Sequence, residues 1–102
     1  MAESIAFRPT SDVCDDHDDA QIVTERFVSL GGVPHAAGPA STVKAHEDNS
    51  KVKEAVAEPG EGRVLVVDGS GSMRRSMVGG NVAGEAAANG WAAIIVYGAV
   101  RD

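Results

Sequence analysis

RVLVVDGSGSMRRSMVGGNVAGEAAANGWAAIIVYGAVRD, residues 63–102, contains two short apolar runs with an alanine-rich stretch between them. The first run, Val64-Leu65-Val66-Val67 in a strand expected over residues 63–67, is continuous, β-branched and aliphatic, which marks a strand covered on both faces. The second run, residues 93–97, has the same character. Between them, residues 81–89 read as a helix that ends at the stop pair Asn89-Gly90. Two strands joined through a helix are expected to lie parallel, with a right-handed crossover. Residues 72–78 are expected to add a short extended piece before the helix.

Upstream the pattern is more broken. Residues 9–20 read as a short acidic helix capped by Thr10 or Ser11, with Asp12, Asp15 and Asp16 near the positive end of its dipole. A strand is expected within residues 22–30, followed by an irregular loop through Gly31-Gly32, Pro34, Gly38 and Pro39. Alternation over residues 41–45 predicts a half-buried strand. From Asn49 onward Val52, Ala55 and Val56 recur at helical spacing, and Glu58-Pro59-Gly60 stops that helix. The chain therefore reads as one α/β domain over residues 1–102, with its clearest unit in residues 63–102.

Composition narrows the function. Of 102 residues 43% are apolar but only 4% aromatic, so the core is built from small aliphatic side chains. A net charge of -6, without a basic stripe interleaved with aromatics, argues against direct nucleic-acid binding. Cys14 is the single cysteine, which excludes an internal disulfide and makes a reducing compartment, the cytoplasm, the expected location. No run approaches the roughly 18 apolar residues of a membrane span, and the N-terminus lacks the charge and apolar pattern of an export signal.

In open α/β sheets, ligands gather beyond the carboxyl ends of the strands. Three segments are expected at that edge. Gly79-Gly80-Asn81-Val82 opens the alanine-rich helix, where unpaired N–H groups attract an anion. Asp68-Gly69-Ser70-Gly71-Ser72 follows the first strand of the unit. Arg101 and Asp102 follow the last strand and set a guanidinium fork beside a hard oxygen ligand. The bland readings are a turn before a helix and a terminal ion pair.

Asp68-x-Ser70-x-Ser72 after a strand also resembles the metal-ion-dependent adhesion site of von Willebrand factor A domains, against the simpler reading of a Gly/Ser turn. The acidic run of residues 14–19 reads as a solvated face, because neighbouring helical residues point in different directions. His35 and His46 have no nucleophile or paired ligand at useful spacing.

GRVLVVDGSGSMRRSMVGG, then AANGW, then AIIVYGAVRD, resembles the RraA family of ribonuclease-activity regulators and 4-hydroxy-4-methyl-2-oxoglutarate aldolases. FRPTSDVCDD, residues 27–32, Gly38-Pro39, and the segments at 42–44 and 47–49 follow the same family in order. The resemblance implies a swivelling β/β/α fold, here its N-terminal part, assembled as a homotrimer. It implies a lyase dependent on Mg2+ or Mn2+ that cleaves or decarboxylates 2-oxo acids, oxaloacetate included, through a metal-stabilised pyruvate enolate. Gly79, Gly80, Asn81 and Val82 would then bind substrate through their amides, Arg101 would grip its carboxylate as the catalytic residue, and Asp102 would hold the metal. The family's aldolases carry an acid at the position of Gly80. The regulator branch implies instead a non-catalytic inhibitor of an endoribonuclease of the RNase E type.

Overall fold

Val64–Asp68 forms β2, the middle strand of a three-stranded parallel sheet ordered β1-β2-β4, where β1 is Ala40–Lys44 and β4 is Ala93–Tyr97. The structure, a computed structural model, describes residues 7–101. Ala40 stands opposite Val64 on one side of β2, and Ala93 stands opposite Val64 on the other. The remaining elements are helices α1 (Thr10–Asp16), α2 (Ser50–Ala57) and α3 (Gly80–Ala88), and the short strands β3 (Ser76–Val78) and β5 (Ala99–Val100). β3 and β5 pair in parallel as a second, two-stranded sheet.

Each crossover moves to the neighbouring strand in the same direction, β1 to β2 through α2 and β2 to β4 through α3. Two crossovers of one hand place both helices on one face of the sheet, and α2 touches α3. The core lies in that layer. Leu65 and Val67 of β2 meet Val52 and Val56 of α2, Val82 and Ala86 of α3, and Met77 and Val78 of β3, with Val43, Ile94 and Val96 at its margin. The expectation that β2 is covered on both faces holds only in part: on the face away from the helices Val64 is buried and Val66 half-buried, while Ile95 and Tyr97 of β4 are exposed.

The opposite end of the sheet from the strand tips is fastened through Trp91. Its indole N–H donates to the Glu58 carbonyl at 3.1 Å, and the Arg63 guanidinium lies 4.5 Å from the ring centre. Arg63 also donates to the carbonyls of Gly60 and Pro59 and to the Ser41 hydroxyl, so one side chain joins β1, the α2–β2 loop and the entrance to β4. Gly60 is required here by space, because a Cβ would stand 2.5 Å from the Trp91 nitrogen. Gly90, with φ +84, ends α3 in the left-handed conformation that its stop signal called for.

Two expectations upstream fail. The acidic helix is only seven residues long, and it opens from Pro9 with no side-chain cap, so Thr10 and Ser11 are within or at its start and cap nothing. Residues 22–30 form no strand. They join no sheet among the described residues, and Ile22 and Val28 remain 71% and 81% exposed. No helix of the described residues is long and apolar enough to cross a membrane.

Candidate functional site

Because β1, β2 and β4 are parallel, the segments that leave their carboxyl ends emerge at one edge of the sheet. They enclose an open cleft of about 1020 Å³. One wall is the start of α3, residues Gly79, Gly80, Asn81 and Val82, together with Arg101. Opposite contributions come from Glu47, Asp48 and Asn49 after β1, Lys53 of α2, and Arg74, Arg75 and Ser76 leading into β3.

The two-stranded sheet explains why Arg101 reaches the helix start. β3 runs into Gly79 and α3, β5 runs into Arg101, and their parallel pairing carries Val100 beside Val78. The ladder continues one residue further, where the Arg101 backbone N–H donates to the Val78 carbonyl at 3.0 Å. The same carbonyl accepts the Ser76 hydroxyl at 2.8 Å. Gly79 is extended at the N-cap, and no side chain caps α3. Helix geometry leaves the N–H groups of Gly80, Asn81 and Val82 without acceptors inside the helix. These donors and the dipole behind them suit an anion.

Charge in the cleft runs opposite to the charge of the chain. Its lining carries four cations, Lys53, Arg74, Arg75 and Arg101, against two carboxylates, Glu47 and Asp48, a balance of +2 in a chain of net charge -6. Glu47 holds a left-handed backbone, φ 55, unusual for a residue with a side chain. Its carboxylate is fixed there by the Ser72 hydroxyl at 3.0 Å and by Arg74 at 3.5 Å. Asp48 accepts the Ser50 backbone N–H at 2.9 Å. The Ser50 backbone and hydroxyl hold its carboxyl below the ordinary carboxylate value, and the positive charges of Lys53 and Arg75 act in the same direction.

The Asp-x-Ser-x-Ser segment is a turn. The Asp68 carboxylate accepts the Ser70 backbone N–H at 2.9 Å, and the Ser72 hydroxyl is directed to Glu47. The amides of Gly69 and Gly71 both donate to the Tyr97 carbonyl, at 3.0 and 3.1 Å. His35 stacks on Phe7, and the acidic helix α1 buries none of its residues. Among the described residues no group of three or more His, Cys, Asp or Glu side chains forms a metal cluster. The anionic donors lining the cleft are carboxylates, hard oxygens of the kind Mg2+ and Mn2+ accept, and Mg2+ takes only one or two of them beside its waters. Asp102 lies outside the described residues.

Thus Gly79, Gly80, Asn81, Val82 and Arg101 share one cleft. Sequence reasoning did not single out Lys53, Arg74, Arg75 or Glu47. The available signal was the Arg74-Arg75 pair, which follows the β2 turn and so had to emerge at the same edge.

Comparison with known proteins gives one consistent picture. A family model described as RraA-like, Aldolase/RraA, matches residues 10–102. A protein of Alkalilimnicola ehrlichii provisionally named 4-hydroxy-4-methyl-2-oxoglutarate aldolase is 54% identical over 95 residues, which cover 92% of this chain and 59% of that protein. A protein of Ectopseudomonas mendocina with the same provisional name is 53% identical over 94 residues, covering 91% and 58%. Among solved structures, the RNA-processing inhibitor RraA from Thermus thermophilis superposes with a TM-score of 0.90 at 40% identity, covering 95% of this chain and 59% of that one. A structure described as an S-adenosylmethionine:2-dimethylmenaquinone methyltransferase from Geobacillus kaustophilus HTA426 gives 0.87 at 41%, covering 93% and 60%. The chain therefore spans about 59% of the length of such relatives.

Proposed function

This chain belongs to the RraA-like family, and on that footing we propose that its cleft binds a 2-oxo acid for metal-dependent C–C bond cleavage of the aldolase or oxaloacetate decarboxylase type. The observation that carries this reading is the shared cleft of Arg101 and the uncapped start of α3. Arg101 would hold the substrate carboxylate through its planar fork, and the amides of Gly80, Asn81 and Val82 would take the remaining carboxylate or oxo oxygen. Asp102, next in the chain, would hold Mg2+ or Mn2+. When bound, the cation supplies Lewis-acid polarisation of the 2-oxo group. The names of the aldolase relatives support this reaction class.

Incubation with oxaloacetate and Mg2+ tests the proposal by pyruvate release. Turnover above the metal-only background, lost in Arg101→Ala, is the expected result. Equal rates with and without the protein remove the catalytic reading.

A second reading is favoured by Gly80 and by the likeness to the RNA-processing inhibitor. With no acid at the head of α3, the chain would act by binding an endoribonuclease through its acidic surface. Salt-sensitive capture of an endoribonuclease of the RNase E type, with no lyase rate, would select it. Trimeric assembly belongs to both readings. The exposed apolar side chains of Ile22, Val23, Val28, Leu30 and Val33 are the surface such an assembly would cover, and sedimentation velocity measures it.

A further inference from the structure

Glu47 stands in the cleft against two preferences of its residue type. Its backbone holds φ 55, which residues with a side chain avoid, and its side chain is only 24% exposed, although glutamate ordinarily keeps its carboxylate in water. Residues held in this way persist where their surroundings fix them, and they cluster at functional sites.

The surroundings here are Ser72 and Arg74. The Ser72 hydroxyl donates to Glu47 Oε1 at 3.0 Å and accepts the Arg74 backbone N–H at 3.3 Å. The Arg74 Nε stands 3.5 Å from the same Oε1. These contacts tie the segment after β1 to the turn after β2, and they match Arg74 with a carboxylate of the chain itself. The two ends of the ion pair differ. Glu47 is half-buried and also held by Ser72, whereas the Arg74 side chain is 83% exposed. An ion pair with so exposed a partner is weak and exchanges readily. Arg74 also lines the cleft that Arg101 and the head of α3 share, so its guanidinium can turn to a second anion while Glu47 stays in place.

Resting on the reading of this cleft as a 2-oxo-acid site, we infer that Glu47 is a built-in competitor for Arg74, an autoinhibitory contact that an incoming carboxylate must displace. Binding through Arg74 then sacrifices one charge-assisted contact to gain another, and the net affinity is lower than the cations of the cleft would otherwise give. The Ser72 bond keeps the two segments joined during the exchange, so only one side chain moves.

The test is titration calorimetry of the full chain with pyruvate, at fixed Mg2+, in the unmodified protein, Glu47→Gln, Arg74→Gln and the double variant. Glutamine keeps an oxygen for the Ser72 hydroxyl and removes the charge. Glu47→Gln is expected to bind pyruvate about fivefold or more tightly, the scale of a charge-assisted contact. Arg74→Gln alone is expected to leave affinity within about twofold, because its guanidinium is already engaged, and the double variant loses the gain. Simple removal of a nearby negative charge gives another pattern: the gain persists without Arg74, and that result overturns the inference. Unchanged or weakened binding in Glu47→Gln overturns it too, since the carboxylate would then be inert or would support Arg74 as a ligand. Circular dichroism verifies folding. Arg74 is exposed, so a fall in affinity in Arg74→Gln alone is a second, independent refutation. Each of these results leaves the 2-oxo-acid reading standing, whereas failure of all four proteins to bind pyruvate overturns both.

Discussion

The backbone N–H of Arg101 donates to the carbonyl of Val78 at 3.0 Å, and this one bond of the β3–β5 ladder seats the guanidinium beside the head of α3. Side chain and main chain can be separated experimentally. Arg101→Ala keeps the bond and removes the fork, so anion affinity is expected to fall about 10- to 100-fold, the worth of one charge-assisted pair. Its melting temperature stays close to that of the unmodified chain. Arg101→Pro loses the donor as well, at about 1 kcal/mol, and lowers the melting temperature by roughly 4–8 °C. Paired titrations and thermal melts check both outcomes, and equal melting temperatures in the two variants would count against the role of this ladder bond.

Gly80 is the first residue of α3 and lines the cleft. Gly80→Asp puts a carboxylate at the positive end of the dipole and removes a glycine from the helix, for a combined gain of about 1 kcal/mol. It also adds a hard oxygen ligand. Mn2+ affinity, followed by electron paramagnetic resonance, is expected to rise about tenfold or more. Anion binding without metal is expected to weaken, because the new charge repels it. Unchanged Mn2+ affinity would mean that the position does not face a metal.

Trp91 is the single tryptophan and reports on its own surroundings. A Cβ at Gly60 would lie 2.5 Å from the Trp91 nitrogen and 2.6 Å from its Cγ, and neither atom belongs to a flexible end. Gly60→Ala is therefore expected to cost about 1–3 kcal/mol by overpacking. Denaturant unfolding followed by indole fluorescence measures the loss, and the folded-state emission shifts to the red as the ring is displaced from Arg63 and Glu58. A variant of unaltered stability would contradict the contact.

Asp48 supplies a pH dependence whose sign is fixed. Its folded-state pKa is lowered, chiefly by the Ser50 backbone N–H, so the stabilisation is complete above the unfolded value and disappears as pH falls through the folded one. The melting-temperature gap between the unmodified chain and Asp48→Ala is expected at pH 7 and narrows below about pH 4. A gap that widens on acidification would reverse the assignment.

Strands β2 and β4 and helix α3 were legible because each is a local pattern with its own stop signal: a continuous apolar run, or an alanine-rich stretch closed by Asn89-Gly90. Residues 22–30 carry apolar side chains too, interrupted by Thr24-Glu25-Arg26 and Ser29, and form no strand, since side-chain character alone does not specify strand pairing. Placing the α3 start and Arg101 at one edge needed only the parallel direction of the strands. Convergence of Lys53, Arg74 and Arg75 on the same cleft depends on β1 lying next to β2 and on the turn after β2, which are long-range facts. The left-handed Glu47 gave no sign in sequence, because its side chain ordinarily avoids that conformation.

The carbonyl of Tyr97 accepts two amides from the turn after β2, those of Gly69 and Gly71, so the roots of the arginine-bearing segment and of the β5 end hang from a single atom. Those two roots cannot part without breaking both bonds. For the anion proposed above, roots tied in this way lower the ordering cost of capture, and encounter with the positively charged mouth would set the rate, rising in dilute electrolyte.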